Sequence, residues 1–347
     1  MKKLYKDILN DIGGGGGKLQ DRERNDRVLI IDGMNTFIRS WTTSPNLNED
    51  GDHVGGITGS LKSIGYAIRE LNPTRVIVVF DGKGGSDKRK KIYEGYKIER
   101  GKNRFRVNRI YPDNMNEEEE RTSMKRQFVW LVDYMEHLPL SVLVYDGIEA
   151  DDVIAYLSNH IKDEIGTEKI IMSSDKDFLQ LVDEQTIIYS PTKKILYNIP
   201  TLEKEFGFFY KNFILYKILD GDSSDNIPGI RGCGLKTLLK RFPEMIEREI
   251  TVDDLFDLCE EKRGKIKLYD DILDNKDQIL MNKKIMALDV PIIGANQKLQ
   301  ILNKFRENDT PLDKKGFLQK SLKYRMSDSW GDLVFWLQDS FGRLKYE

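Results

Sequence analysis

Arg27-Val28-Leu29-Ile30-Ile31-Asp32 is a short apolar run that ends on a carboxylate. The pattern returns in Val76-Ile77-Val78-Val79-Phe80-Asp81, in Val142-Leu143-Val144-Tyr145-Asp146 and in Lys169-Ile170-Ile171-Met172-Ser173-Ser174-Asp175. A fifth run, Gln185-Thr186-Ile187-Ile188-Tyr189-Ser190, ends without an acid. Continuous β-branched runs bounded by polar residues suit strands buried on both faces. Helical spacing fills the gaps: Leu61, Ile64, Ala67 and Ile68 within 59–71, Phe128, Leu131, Val132 and Met135 within 127–138, and Val153, Ile154 and Leu157 within 150–161. Strands alternating with helices imply an α/β fold with a mainly parallel central sheet. In such sheets functional residues lie beyond the carboxyl ends of the strands, where Asp32, Asp81 and Asp175 fall.

Outward from this core the texture changes. Residues 1–26 form a polar lead-in with five consecutive glycines, Gly13 to Gly17, which reads as a flexible N-terminal tail. Its short amphipathic piece, Leu4, Ile8 and Leu9, reads as frayed chain before it reads as a docking element. Beyond Pro200 the spacing predicts an apolar helix over 206–219, a turn-rich stretch over 220–237, and further helices to about residue 290. A charged and aromatic extension, 296–347, carries Trp330, Phe335, Trp336 and Phe341. The domain division expected is 27–205, 206–295 and the 296–347 extension.

No run approaches the ~18 apolar residues of a membrane helix, and the N-terminus lacks the apolar block of a signal peptide, so a cytoplasmic protein is expected. Cys233 and Cys259 are too few for a disulfide framework or a zinc site, and they fit a reducing compartment. His53, His137 and His160 show no metal-ligand spacing. The net charge of −2 argues against a generic basic nucleic-acid binder, but the charges are segregated. Residues 82–110 hold eleven Lys/Arg against three Asp/Glu, and Glu117 to Glu120 follow.

The acids are grouped as metal ligands are. Glu149, Asp151 and Asp152 crowd one helix start, Asp175 and Asp177 stand two apart, and Asp222 and Asp225 stand three apart. One acid would serve to cap a helix; three repel one another unless a cation neutralises them. Oxygen-only clusters suit Mg²⁺ or Mn²⁺, and two such ions can drive phosphodiester hydrolysis without a covalent nucleophile. In the basic stretch, Lys88, Arg89, Lys97 and Arg100 are interleaved with Tyr93, Tyr96 and Phe105, which suits phosphate contact with stacking. Asn226 to Thr237 form a glycine-punctuated hairpin, with Gly229, Gly232 and Gly234 for tight turns and Lys236 and Lys240 nearby.

Together these strings resemble the flap endonuclease/5′-nuclease family, which spans the 5′-nuclease domain of bacterial DNA polymerases and stand-alone phage 5′-exonucleases, phage RNase H among them. The matching strings are IIDGMN at Asp32, VVFDGKG at Asp81, GIEADDVIAYL at Glu149, Asp151 and Asp152, SSDKDFLQLV at Asp175 and Asp177, and LDGDSSDNIPGIRGCGLKT at Asp222 and Asp225. The resemblance covers residues 27–290 or so. It implies a PIN-like nuclease domain with a helical arch or clamp at about 82–125, and a helix–three-turn–helix module that grips duplex DNA, with K⁺ held at the glycine hairpin. It further implies two Mg²⁺ ions, replaceable by Mn²⁺, on the nine acids. Lys97 and Arg100, with Arg89, take the phosphate-activating role; Arg39, Lys88, Arg89, Tyr96, the hairpin glycines, Lys236, Thr237 and Lys240 take DNA. The expected substrates are branched or 5′-flap DNA and RNA–DNA hybrids. A monomer is expected, with a single-strand-binding protein or sliding clamp as partner. The alternative readings are a non-catalytic branched-DNA-binding protein and an aspartyl-type phosphatase; the latter would need an Asp-x-Asp nucleophile after the first strand, and Asp32-Gly33-Met34-Asn35 lacks the second acid.

Overall fold

The apolar runs pair edge to edge in a six-stranded sheet, seen in a computed structural model that describes residues 7–9, 23–101, 116–159 and 168–345. The strands are β1 (Arg27–Asp32), β2 (Arg75–Asp81), β3 (Ser141–Tyr145), β4 (Glu168–Met172), β5 (Thr186–Ser190) and β6 (Ile195–Tyr197), in the spatial order β3-β2-β1-β4-β5-β6. All pairs are parallel except β5–β6. The three-residue β6 is too short for its pattern to show in the sequence. β1 is central and buried throughout, as its unbroken apolar run requires.

Successive side chains leave opposite faces of the sheet. Val28, Ile30, Ile77, Val79 and Leu143 face one core, and Leu29, Ile31, Val76, Val78 and Phe80 face the other. The helices are α1 (Gly33–Thr43), α2 (Gly55–Leu71), α3 (Asp87–Ile92), α4 (Glu117–Met135), α5 (Ala150–Asn159), α6 (Ile199–Phe206), α7 (Phe213–Asp220), α8 (Leu235–Arg241), α9 (Glu244–Glu247), α10 (Val252–Glu261), α11 (Lys267–Asp274), α12 (Lys276–Met286), α13 (Ala295–Arg306), α14 (Lys314–Lys323) and α15 (Leu333–Phe341). The first core runs from α5 without a break into α6 to α13; the second takes α2, α4, α14 and α15.

Three local expectations shift. The helix expected over 206–219 begins only at Phe213, because Gly207 closes α6 in the left-handed region at φ +78 and a 3₁₀ turn, Tyr210–Asn212, precedes α7. The helix expected from residue 127 begins ten residues earlier. Glu117 to Glu120 form its first turn, closed by a reciprocal Asn116–Glu119 capping box, so this acidic run complements a helix dipole. Residues 7–9, inside the stretch read as a flexible tail, pack on the body: Ile8 and Leu9 are buried and the Leu9 carbonyl accepts from Arg27 at 2.9 Å. The glycine run 13–17, His160 and the basic residues Lys102, Arg104, Arg106 and Arg109 with Phe105 lie outside the described residues. No helix among the described residues is long and apolar enough to cross a membrane.

Candidate active site

The chain runs from β1 outward to β2 on one side and later returns to place β4 on the other side of β1. A crevice opens at such a reversal, beyond the carboxyl ends of the strands. Asp32 and the Ser173–Asp175 segment flank it. Asp32 caps α1, accepting the Asn35 amide at 3.0 Å, and its other oxygen accepts the Ser173 hydroxyl at 3.0 Å. Asp175 starts a 3₁₀ turn by accepting the Asp177 amide at 2.9 Å. Asp81, on the next strand end, accepts the Ala150 amide at 2.8 Å and so fixes the start of α5 beside it.

These acids open into one cavity of about 570 Å³. Asp32, Asp81, Asp151, Asp175, Asp177 and Asp225 line it, with Arg39, Arg89, Tyr96 and Lys97. Burial, then the charges of Asp81 and Asp175, pushes the Asp32 carboxyl up to about 7. Burial and then Asp175 and Asp32 push Asp151 well above the usual carboxylate range. Burial and Asp175 raise Asp177 too, although Lys217 sits 2.9 Å from it.

The trio at the start of α5 divides. Asp151 faces the cavity, whereas Glu149 and Asp152 are buried behind it in a cation lattice. Arg89 donates to Glu149 at 2.7 Å and to both Asp152 oxygens at 2.6 and 3.1 Å, and its Nε donates to the Ile285 carbonyl at 2.8 Å. Asp152 also accepts the Ile292 amide at 2.9 Å. The Tyr96 hydroxyl donates to Glu149 at 3.1 Å, and Lys97 pairs with the same carboxylate. Burial alone would raise Glu149, but Lys97 and Arg89 hold it below the usual range. Burial alone would lower Lys97, but Glu149, Asp151 and Asp225 keep it above its ordinary value, hence charged. Lys97 has φ +57, and its amide donates to the Asp225 carbonyl at 2.9 Å, which seats the ammonium among the acids.

Asp222 stands apart from the cavity lining. It accepts from Ser224 at 2.8 and 2.6 Å and from Lys217 at 3.1 Å; burial alone would raise it, but these partners hold it below the usual range. Lys217 therefore ties Asp177 to Asp222, a link the sequence reading missed. The signal was a lone lysine in the apolar helix Phe213–Asp220. Asn35 was also missed as a site residue; its side-chain oxygen accepts the Ser174 amide at 3.0 Å.

The residues expected to contact DNA scatter. Arg39 lines the cavity and donates to Ser63 at 2.9 Å. Lys88 points away, to the Ile292 carbonyl at 3.0 Å and Gln297 at 3.2 Å. Arg100 lies in the 3₁₀ turn Ile98–Gly101, and its side chain is outside the described residues. In the hairpin, a Cβ on Gly229 would stand 2.0 Å from the Asp220 carbonyl oxygen, and Gly232 sits at φ +87. Gly234 caps α8, where Lys236 and Lys240 are exposed and Thr237 half-buried.

Among the described residues no three acidic, histidine or cysteine side chains already enclose a metal position. The donor set nonetheless fits hard dications: it is oxygen-only, and its buried members are driven toward protonation by burial and then by one another, a strain that positive charge relieves.

The family signature of the 5′-3′ exonuclease N-terminal, resolvase-like domain matches residues 27–207. The 5′-3′ exonuclease of Buchnera aphidicola (from Acyrthosiphon pisum) is 29% identical over 296 residues, covering 83% of this chain and 95% of that protein. The 5′-3′ exonuclease of Aquifex aeolicus is 28% identical over 300 residues, covering 84% and 94%. Bacteriophage T5 5′-exonuclease, solved with divalent metal ions, superposes with a TM-score of 0.59 at 19% identity, covering 86% of this chain and 99% of that one, a likeness of fold. Asp32, Asp81, Asp151, Asp175 and Asp177 thus sit inside the matched region, and the chain belongs to the 5′-3′ exonuclease family with its N-terminal resolvase-like domain.

Proposed function

We propose that the protein is a structure-selective 5′ nuclease, a 5′→3′ exonuclease and 5′-flap endonuclease that hydrolyses phosphodiester bonds in branched DNA and RNA–DNA primers and clears primers or flaps during replication in the cytoplasm. The observation that carries the reading is one cavity lined by six aspartates together with the charged Lys97. A non-catalytic DNA binder has no use for carboxylates that repel both one another and a phosphate backbone.

In this reading Asp32, Asp81, Asp151 and Asp175 hold one Mg²⁺, and Asp177 and Asp225 the other, with Mn²⁺ as a substitute. Asp222 acts on the second ion through Lys217 and Asp177. Two such ions supply charge to the scissile phosphate and acidify water. Lys97 donates to a phosphate oxygen, and Glu149 and Asp152, held by Arg89, keep Lys97 and Tyr96 in place. Arg39 at the cavity wall takes a strand phosphate. Segment 82–125, with Arg100, serves as the arch for the 5′ strand, while the 206–295 region grips the duplex through the Gly229–Gly234 hairpin with K⁺, Lys236, Thr237 and Lys240. A single-strand-binding protein or sliding clamp is the expected partner.

The test is cleavage of a labelled 5′-flap substrate with Mg²⁺ or Mn²⁺ and with EDTA. Product with either ion and none with EDTA is expected. Equal product in EDTA would sink the metal-dependent reading, and binding without any cleavage would favour the non-catalytic one.

A further inference from the structure

Helix α1 lines the cavity along its length, through Met34, Ile38, Arg39, Thr42 and Thr43. The loop 44–53 continues from its end. At ~1.5 Å per residue it begins roughly 16 Å from Asp32, about five stacked nucleotides along a strand. Leu47 stands exposed on this loop, which is closed by a bridge between Leu47 and His53. An exposed apolar residue on a loop leading from the cavity wall suits contact with a base or sugar.

The loop is held from outside. The Asn48 side chain donates to the Tyr324 carbonyl at 3.2 Å, the Glu49 amide donates to the Arg325 carbonyl at 2.8 Å, and the Ser327 amide donates to the Glu49 carboxylate at 3.2 Å. The Arg325 guanidinium lies 3.4 Å from Glu49 and 3.5 Å from Asp50. Exposed ion pairs of this kind contribute little, so the hydrogen bonds of the buried Asn48 and of the backbone carry the contact. The supporting turn is itself fixed. Tyr324 is buried, its ring stacks on Trp130 at 4.2 Å between centroids, and its hydroxyl bonds Asp133. Arg325 holds φ +55, which a non-glycine residue adopts only under constraint.

We infer that the turn Tyr324–Ser327 braces loop 44–53 as a wall for the substrate strand leaving the cavity, and so sets where along that strand the cut falls. The role is one of positioning, and it rests on the nuclease reading above. It gives the C-terminal region a part in substrate selection although none of its residues lines the cavity.

Asn48→Asp tests it. The carboxylate still accepts the Asp50 and Asp52 amides, now at 3.1 and 2.8 Å, but cannot donate to the Tyr324 carbonyl. The variant should melt as a folded protein and be cut by chymotrypsin at Leu47 faster than wild type. Its KM on a 5′-flap substrate should rise about tenfold, as for one lost buried hydrogen bond, with kcat changed less than about twofold. Its products should spread over adjacent positions. Asp328→Asn, an exposed neighbour outside the brace, is the control and should match wild type. Unchanged chymotrypsin sensitivity, KM and cleavage position in Asn48→Asp overturn the inference, as does a fall in kcat alone. If wild type fails to cut the flap while the chymotrypsin difference persists, the brace stands and the nuclease reading fails.

Discussion

Asp32 shows how one residue reports on the whole site. An unfolded aspartate loses its proton near 3.8, whereas this one, buried and facing Asp81 and Asp175, does so at about 7. Between those values this carboxyl binds its proton in the folded state and not in the unfolded one, so its contribution to stability falls as pH rises from about 4 through 7. Melting in EDTA should therefore show a higher Tm at pH 5 than at pH 8. Asp32→Asn, which removes the titrating group and keeps an oxygen to accept the Asn35 amide, should flatten that slope and raise the Tm at pH 8. A slope of the opposite sign, or one identical in the variant, would show that the acids do not press on one another as described. Mg²⁺ should restore the wild-type Tm at pH 8, because a bound cation stabilises the charged form.

At the scale of elements, the hairpin between α7 and α8 is wired to its neighbours by backbone. The Ile230 amide donates to the Leu219 carbonyl at 2.7 Å, and Asn282 on α12 donates to the Ile218 and Pro228 carbonyls at 2.9 and 2.8 Å. Gly229 packs where only a hydrogen fits, whereas Gly234 has nothing within 4 Å of an added Cβ. Gly229→Ala should cost on the order of 1–3 kcal/mol and weaken duplex binding in a fluorescence-anisotropy titration, while Gly234→Ala should leave both nearly unchanged. Equal effects at the two glycines would mean that close backbone approach is not what the hairpin requires. α5 makes the related point for the acids: its first turn was legible as a crowded trio, but its helical rotation sends Asp151 to the cavity and Asp152 to Arg89.

Over the whole molecule, the C-terminal extension closes the second core instead of hanging from it. Phe317, Trp330, Leu337 and Phe341 are buried against α2 and α4, and the Lys345 amide donates to the Thr74 carbonyl at 2.8 Å. Asp309 reaches the fully buried Arg75 at 3.2 Å; burial pulls Arg75 down to about 10 even with this partner. Truncation after Arg306 removes Asp309 and would strand that guanidinium, at a cost of roughly 3–5 kcal/mol before the lost apolar burial is added. The shortened chain should lose cooperative unfolding by circular dichroism. Phe335→Ser, at a side chain 68% exposed, should change stability by no more than about 0.5 kcal/mol. A truncated chain that melts like wild type would return the extension to the status of an appendage.

The local grammar of the chain determined a good deal by itself. Apolar runs ending in aspartate specified β1, β2 and β4, and with parallel pairing they placed Asp32, Asp81 and Asp175 on one edge of the sheet, because period and strand end are local properties. Tertiary structure alone decided which acids face the cavity, that Arg89 and Lys97 neutralise Glu149 and Asp152 from behind, and that Lys217 joins Asp177 to Asp222. It also decided that residues 314–344, read as an extension, form part of a core. These are outcomes of long-range packing: where each charge finds its counter-charge, and where each apolar face is covered, depends on segments far apart in sequence.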